Sequence, residues 1–356
     1  MPITIVVGGQ FGSEGKGKVT HWLAREQRAG YAIRVGGPNS GHTVIRNGSP
    51  VVLRQLPTPA LTGDVVAVIP AGAYVSINVL LREIEEVGLQ KDQLIIDPAA
   101  VVIDNTMRAE ERDAGLIEAI ASTGQGVGSA VSMRTMRRSS ITFARDTTFL
   151  RRFVRFDLRD VFKDALARKQ RVIVEGTQGF GLSVLHGGYY PYATSRDTSA
   201  AGALSEAGLS PRDVDCVALT LRAFPIRVGG NSGPLPCETN WEEVSHNSGA
   251  GRDLTEYATV TGRPRRVARF HEDIVAQAIS VNCPDLLFVN HVDYFDYSIH
   301  GQTYLTFRAV REVHEMERRL ACQIDHVGVG PSSIICRPES GWLDGYLAPK
   351  AQATVA

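Results

Sequence analysis

Residues Gly12-Ser13-Glu14-Gly15-Lys16-Gly17-Lys18 combine what phosphate chemistry needs. Glycines let backbone N–H groups turn toward a ligand, and two lysines one residue apart add point charges. The segment follows an apolar run and opens a helical pattern, so the positive end of a helix would face the same anion. Read from Gly12, the spacing is G-x-x-x-x-G-K, that of a Walker loop, except that Val19 stands where Ser or Thr would hold Mg2+. Any metal must be held differently. The bland alternative is a glycine-rich turn with solvated lysines. A second glycine-rich stretch, Gly36-Gly37-Pro38-Asn39-Ser40-Gly41-His42-Thr43, carries a histidine flanked by Gly and Asn. A lone histidine is more often structural, but on a loop beside a phosphate site it is a candidate acid or base.

The elements that must position these loops are short. Ile3–Val7 is a β-branched run without alternation, as in a strand buried on both faces. Ala32–Val35, Val65–Ile69, Leu94–Ile96, Val172–Val174, Val217–Leu221 and Leu286–Val289 read as further core strands. Helical patterns alternate with them, from about Lys18 to Arg28 and at Val79–Val87, Leu116–Ile120, Val161–Lys169, Asp273–Val281 and Ala309–Ala321. This alternation predicts an α/β fold with a large, mostly parallel sheet covered by helices on both faces. Ligands of such sheets gather beyond the strands' carboxyl ends, which would bring the loop after the second strand beside the first. No linker or repeat divides the chain, so residues 1–356 are expected to form one domain. Gly229 to Gly251, rich in Gly, Pro, Asn and Ser, reads as long surface loops, and Pro349 to Ala356 as a frayed tail.

Bulk properties narrow the function. Hydrophobic residues are 43% and charged residues 21%, with 38 Lys plus Arg balancing 38 Asp plus Glu. A globular protein is expected, and the balance gives no support to nucleic-acid binding. The five cysteines are scattered, with no C-x-x-C pair, which fits a reducing compartment. The N-terminus lacks the basic flank of a signal peptide, and no run approaches the roughly 20 apolar residues of a membrane span. A cytoplasmic protein with small-molecule partners is expected, in the host cytoplasm if phage-encoded.

Taken together, Q-F-G-S-E-G-K-G-K from Gln10 and G-G-P-N-S-G-H-T from Gly36 resemble adenylosuccinate synthetase. Further blocks recur in the family's order: S-T-G-Q-G-V-G from Ser122, E-G-T-Q-G from Glu175, H-G-G-Y-Y-P-Y-A-T-S from His186, R-V-G-G-N-S-G-P from Arg227, T-G-R-P-R-R from Thr261, N-H-V-D from Asn290 and V-G-P from Val329. The resemblance implies a P-loop NTPase-like homodimer that phosphorylates O6 of a 6-oxopurine nucleotide and then lets the amine of L-aspartate displace phosphate at C6. It implies Mg2+ held by the Gly41 carbonyl and position 13. Ser13, Lys16, His42 and Gln178 match the catalytic positions. The triphosphate would lie on Gly12, Glu14, Gly15, Lys16, Gly17, Lys18, Gly41, His42 and Thr43, with Arg265, Asn290, Asp293, Gly330 and Pro331. The purine monophosphate would meet Ser13, Asn39, Thr123, Gly124, Gln178, Thr194, Val228 and Arg263, and Arg137 would reach it from the other subunit. Aspartate would sit on Thr259, Val260, Thr261, Gly262, Arg263 and Arg265, where a guanidinium can grip a carboxylate. Without the resemblance, the threonines read as caps and Arg134, Arg137 and Arg138 as a solvated helix face.

Ser13 stands where the family normally has Asp, a base at purine N1 and a metal ligand. Serine is no base near neutral pH. It opens space next to C2, where guanine carries an amine that hypoxanthine lacks, and its hydroxyl can accept a hydrogen bond from that amine. Asp197, where the family usually has Asn, is a second candidate acceptor for the amine or a local structural bond. These features resemble a phage-associated branch that acts on dGMP and makes N6-succino-2-amino-2′-deoxyadenylate, a precursor of 2-aminoadenine DNA. The expected activity is therefore ligation of aspartate to dGMP. The alternatives are an ordinary synthetase acting on IMP with GTP, or a non-catalytic nucleotide switch. The donor motif, Asn290-His291-Val292-Asp293, has His for the Lys of guanine-specific N-K-x-D sites, which points toward ATP or dATP.

Overall fold

The computed structural model describes residues 2–343, so the tail from Pro349 lies outside the described residues. Ile3–Gly8 (β1) is buried at every position. Alternate side chains of a strand face opposite ways, and both sides are covered here. Ile3, Ile5 and Val7 pack among Leu204, Ile274 and Val275, whereas Val6 packs against Val19 and Leu23. Those partners come from helices Ala200–Ala207 and Asp273–Asn282 on one face and from Lys16–Glu26 (α1) on the other. A strand with two apolar faces needs helices on both, as the lack of alternation predicted.

The other main-sheet strands are Ala29–Arg34 (β2), Val66–Ile69 (β3), Leu94–Ile96 (β4), Arg171–Glu175 (β5), Val214–Arg222 (β6), Leu286–Asn290 (β7), His326–Gly328 (β8) and Ile334–Cys336 (β9). Their order across the nine-stranded sheet is β9-β8-β7-β6-β1-β5-β2-β3-β4. Every pairing is parallel except β8 with β9. The carboxyl ends of β1, β2, β5, β6, β7 and β8 therefore open on one edge. β5 lies between β1 and β2, so the two glycine-rich turns meet over the end of a strand from far along the chain.

Gly229 to Gly251 holds more structure than its composition suggests. Strand Glu238–Thr239 and helix Trp241–Ser248 lie within it, with Trp241 and Val244 buried. The Asn240 side chain caps this helix by accepting from Glu243 N at 2.8 Å, a start signal concealed among turn-forming residues. His42–Arg46 pairs with Ser49–Leu53 as an antiparallel hairpin, so the second loop runs straight into a strand. Helices Asn105–Asp113 and Ala200–Ala207 add to those read from the sequence, and Val127–Thr135 carries Arg134, one residue of the helix face read there.

Candidate active site

The turn between β1 and α1 is fixed from beneath. Gly15 caps α1 with φ of 84°, and a Cβ there would lie 2.9 Å from the Asn290 amide nitrogen. Only glycine suits both the backbone and the space. Asn290, buried at the end of β7, donates to the Glu14 carbonyl at 2.8 Å. The Glu14 side chain does not line the cavity, so its assignment to the triphosphate can rest only on its backbone. It is fully buried and turned into the loop, accepting from Gln10 N at 3.1 Å, Gly12 N at 2.7 Å and Lys16 Nζ at 2.5 Å. A carboxylate repels phosphate, and this one instead shapes the turn and holds the Lys16 ammonium. Lys18 Nζ donates to the Gly330 carbonyl at 3.1 Å, and burial lowers it to about 8 although the Asp293 charge acts to raise it.

Gly12, Ser13, Gly15, Lys16, Gly17 and Lys18 share one cavity of about 350 Å³ with Asn39, Gly41, His42 and Thr43. The two turns touch closely: a Cβ on Gly17 would fall 2.7 Å from the His42 Cβ. His42 Nδ1 bonds the buried carboxylate of Glu175, which also accepts from Arg34 at 2.9 Å, from Thr58 N at 2.7 Å and from Thr58 Oγ1 at 2.9 Å. Burial pushes the His42 imidazole down to about 4, and the Arg34 charge adds to that, although Glu175 pulls the other way. Burial alone would raise Glu175, but the bond from His42 and the charge of Arg34 hold it below the usual carboxylate range. The ring is therefore neutral near pH 7, with its Nδ1 proton given to Glu175 and Nε2 left as an acceptor. Arg34 and Thr58 were not singled out in the sequence, and Glu175 only opened a motif there. A strand that ends in a carboxylate is the one local signal.

Ser13 (φ 56°) and Gln178 (φ 62°) sit in the left-handed region and line the cavity with Thr123 and Val228. Among the described residues, Gly124, Arg137, Thr194 and Arg263 stand outside that lining. Arg137 is exposed just after helix Val127–Thr135, Arg263 is exposed on a loop tip, and Thr194 donates its N–H to the Leu182 carbonyl at 2.8 Å. Arg54 joins the second turn to the Thr123 loop, donating to the Pro38 carbonyl at 2.7 Å and to Gln125 Oε1 at 2.6 Å. Asp197 makes a local bond, not one to a purine. It accepts from Ser183 Oγ at 2.8 Å and Ser199 Oγ at 2.5 Å, and it is absent from the lining.

The cavity's far wall is the tight loop between Tyr257 and Pro264, which presents Thr259, Val260 and Thr261 while Gly262 and Arg263 face outward. Arg265 lines the wall and pairs with Glu256 at 2.7 Å. Glu256, missed in the sequence, also binds the buried Arg222 and accepts from Tyr294 Oη at 3.1 Å. Burial would raise its carboxyl, but Arg222, His291 and Arg265 together hold it far below the ordinary range. Burial and Arg222 hold His291 well below the usual imidazole value, so a neutral ring joins Gly330 and Pro331 on the wall. Asn290 and Asp293 lie behind it, buried and outside the lining.

Asn39 Oδ1, Thr261 Oγ1 and His291 Nδ1 are buried on lining residues without a partner among the described residues. Such groups are rare unless a ligand satisfies them. No group of three or more His, Cys, Asp or Glu is placed to hold a metal among the described residues. The two positions that match metal ligands offer neutral oxygens, the Ser13 hydroxyl and the Gly41 carbonyl, and both residues line the cavity. This set fits a magnesium ion coordinated mainly by a substrate's phosphates, which completes its shell with few protein ligands.

The adenylosuccinate synthetase family model matches residues 5–147 and 142–300. The adenylosuccinate synthetase of Methanococcus aeolicus is 34% identical over 339 residues, covering 93% of this chain and 97% of that protein. That of Pyrococcus horikoshii is 35% identical over 338 residues, covering 93% and 96%. Among solved structures, the succinoaminodeoxyadenylate synthetase of cyanophage S-2L, bound to dGMP and to dATP as an energy donor, superposes with a TM-score of 0.81 at 28% identity over 97% of both chains. The fully ligated adenylosuccinate synthetase of Plasmodium falciparum gives 0.82 at 20% identity over 95% of this chain and 100% of that one, a likeness of fold. The family model and the curated relatives together place the chain in the adenylosuccinate synthetase family of C–N ligases.

Proposed function

We propose that the chain joins L-aspartate to C6 of dGMP at the expense of a nucleoside triphosphate, giving N6-succino-2-amino-2′-deoxyadenylate, nucleoside diphosphate and phosphate. The observation that carries this reading is Ser13, a small neutral hydroxyl on the cavity wall where the family has a carboxylate. It leaves room for the guanine 2-amine and offers that amine an acceptor. The cyanophage relative bound to dGMP supports the same reading. ATP or dATP is the donor we infer, because a neutral His291 replaces the lysine stem of guanine-reading sites, and the cyanophage relative holds dATP.

The chemistry needs two displacements. Purine O6 attacks the γ-phosphorus as the bond to the β–γ bridging oxygen breaks, the N1 proton passes to solvent and the diphosphate departs. The aspartate amine then attacks C6, and the C6–O bond breaks with phosphate as leaving group. Lys16, released from Glu14, and the backbone amides of the first turn neutralise the transferring group. His42 stands beside them. A polyphosphate close to its Nε2 raises the ring's proton affinity, and the protonated ring then offsets the developing charge. Gln178 orients the 6-position, Thr123, Asn39 and Val228 hold the nucleotide, and Arg265 with Thr259 to Thr261 hold the aspartate carboxylates. Magnesium, held by the Ser13 hydroxyl and the Gly41 carbonyl, would withdraw charge from the phosphate oxygens. Exposed Arg137 would complete the acceptor site of a second subunit.

The test is turnover by purified protein with Mg2+, aspartate and dATP, offered dGMP or IMP, scored by phosphate release and product mass. Succinylated product from dGMP is expected, and Ser13→Asp moves preference toward IMP. Robust turnover of IMP with none of dGMP would overturn the assignment.

A further inference from the structure

Asp293, buried behind the cavity wall, has its two carboxylate oxygens in different states. Oδ2 lies 2.6 Å from His300 Nδ1. A carboxylate only accepts, so the Nδ1 proton is donated to it. Oδ1 is buried with no partner among the described residues. The His300 ring is held by a stack on Tyr297, with centroids 4.6 Å apart and planes 13° apart. It also backs onto the lining, since a Cβ on Gly330 would lie 3.3 Å from the His300 ring carbon Cε1. Lys18, which lines the cavity, feels the Asp293 charge.

Guanine presents N1–H and N2–H side by side, spaced to meet both oxygens of a carboxylate at once. Adenine presents one amino group on the matching edge and an acceptor beside it. We propose that His300 is a positioning residue that sets the donor base: by donating to Asp293 Oδ2 it weakens that oxygen as a further acceptor and leaves Oδ1 the stronger one, which suits the single amino group of an adenine nucleotide and weakens the paired contact of a guanine. This rests on reading residues 290–293 and 330–331 as the donor-base site and is independent of which purine accepts the phosphoryl group.

The test is steady-state kinetics with ATP, GTP and ITP, using whichever acceptor the enzyme turns over. In the unaltered protein, ATP gives the highest kcat/KM, and GTP and ITP are equal within about threefold, because the 2-amine meets an oxygen already bonded to His300. His300→Phe keeps the stack on Tyr297 and frees Oδ2, so the GTP-to-ATP and GTP-to-ITP ratios each rise about tenfold, the worth of one hydrogen bond. The change falls on the donor's KM rather than on those of aspartate or acceptor. His300→Asn, which places an amide N–H near the Nδ1 position, returns the ratios toward the original. A tenfold preference for GTP over ITP in the unaltered protein overturns the proposal even if the variants fail to fold, and so does His300→Phe raising every KM alike. If Asp293→Ala leaves the donor ratios unmoved, the donor-base reading itself fails, an outcome distinct from failure at His300 alone.

Discussion

Glu175 holds His42 by its Nδ1 edge, so the imidazole can meet a substrate only through Nε2. The carboxylate is itself immobilised by Arg34 and Thr58, and β5 carries it into the gap between β1 and β2. Glu175→Gln keeps the shape but can leave the ring in the wrong tautomer. It should lower kcat by about a hundredfold, in the range of a mispositioned acid–base group, with a smaller effect on KM. His42→Asn should cost at least as much, measured as aspartate-dependent phosphate release.

The same ring makes stability depend on pH. Folded His42 titrates near 4 and an unfolded histidine near 6.5. Below pH 6.5 the unfolded chain takes a proton that the folded one refuses, so stability drops as pH falls from 6.5 to 4, by up to about 3 kcal/mol. Thermal melts across that range should show the drop, and His42→Asn should flatten it. Triphosphate binding near pH 6 should also take up a proton, visible as a calorimetric enthalpy that changes with buffer.

Glu14→Ala should harm the enzyme although its side chain touches no ligand. It strips partners from Lys16 and from the amides of Gln10 and Gly12, all in a buried turn. Removing one half of a buried pair costs about 3–5 kcal/mol, so the melting temperature should fall markedly and the donor KM rise. Unchanged melting would show that the turn keeps its shape without this carboxylate.

Gly17→Ala introduces a Cβ 2.7 Å from that of His42 and 3.0 Å from Thr58 Cγ2. Neither neighbour can retreat, being packed beside Glu175, so the two turns must part. Overpacking of this kind costs about 1–3 kcal/mol. The kinetic loss should appear in kcat rather than in the KM for aspartate, whose proposed loop, Thr259 to Thr261, lies across the cavity.

Asp197→Asn probes a residue that the structure removes from purine selection. Its bonds run to Ser183 and Ser199. The ratio of dGMP to IMP turnover should hold within about twofold, while stability falls by about 1 kcal/mol as the local bonds weaken. A shift in that ratio would return Asp197 to the acceptor site.

The sequence displayed the sheet well because its strands are buried on both sides, and a run such as Ile3 to Val7 has no other use. It also displayed the two turns, where glycine and lysine have little reason to cluster otherwise. Hidden were the partners brought by the crossovers. Glu175 and Arg222 each end a strand and Glu256 lies on the loop beyond helix Trp241–Ser248, with no spacing relation to His42 or Arg265, and the first two gain their roles only once β5 and β6 flank β1. Composition misled at Gly229 to Gly251, where turn residues surround a capped helix with a buried tryptophan. At Asp197 the structure carries the second of the two readings, the local bond, since a departure from a family pattern need not face the substrate.

Arg54 reaches with one guanidinium to the Pro38 carbonyl and to Gln125, neighbours in the chain of the cavity-lining Asn39 and Thr123. A shared tether of this kind makes order at either end common property. Whatever the Asn39–Thr43 turn gains in rigidity when a triphosphate settles is passed to the Thr123 turn, and thermodynamic reciprocity requires the same gain in return. The two nucleotides should therefore bind with synergy, each tightening the other's grip by an equal factor, and the pocket should fill in either order toward one closed arrangement.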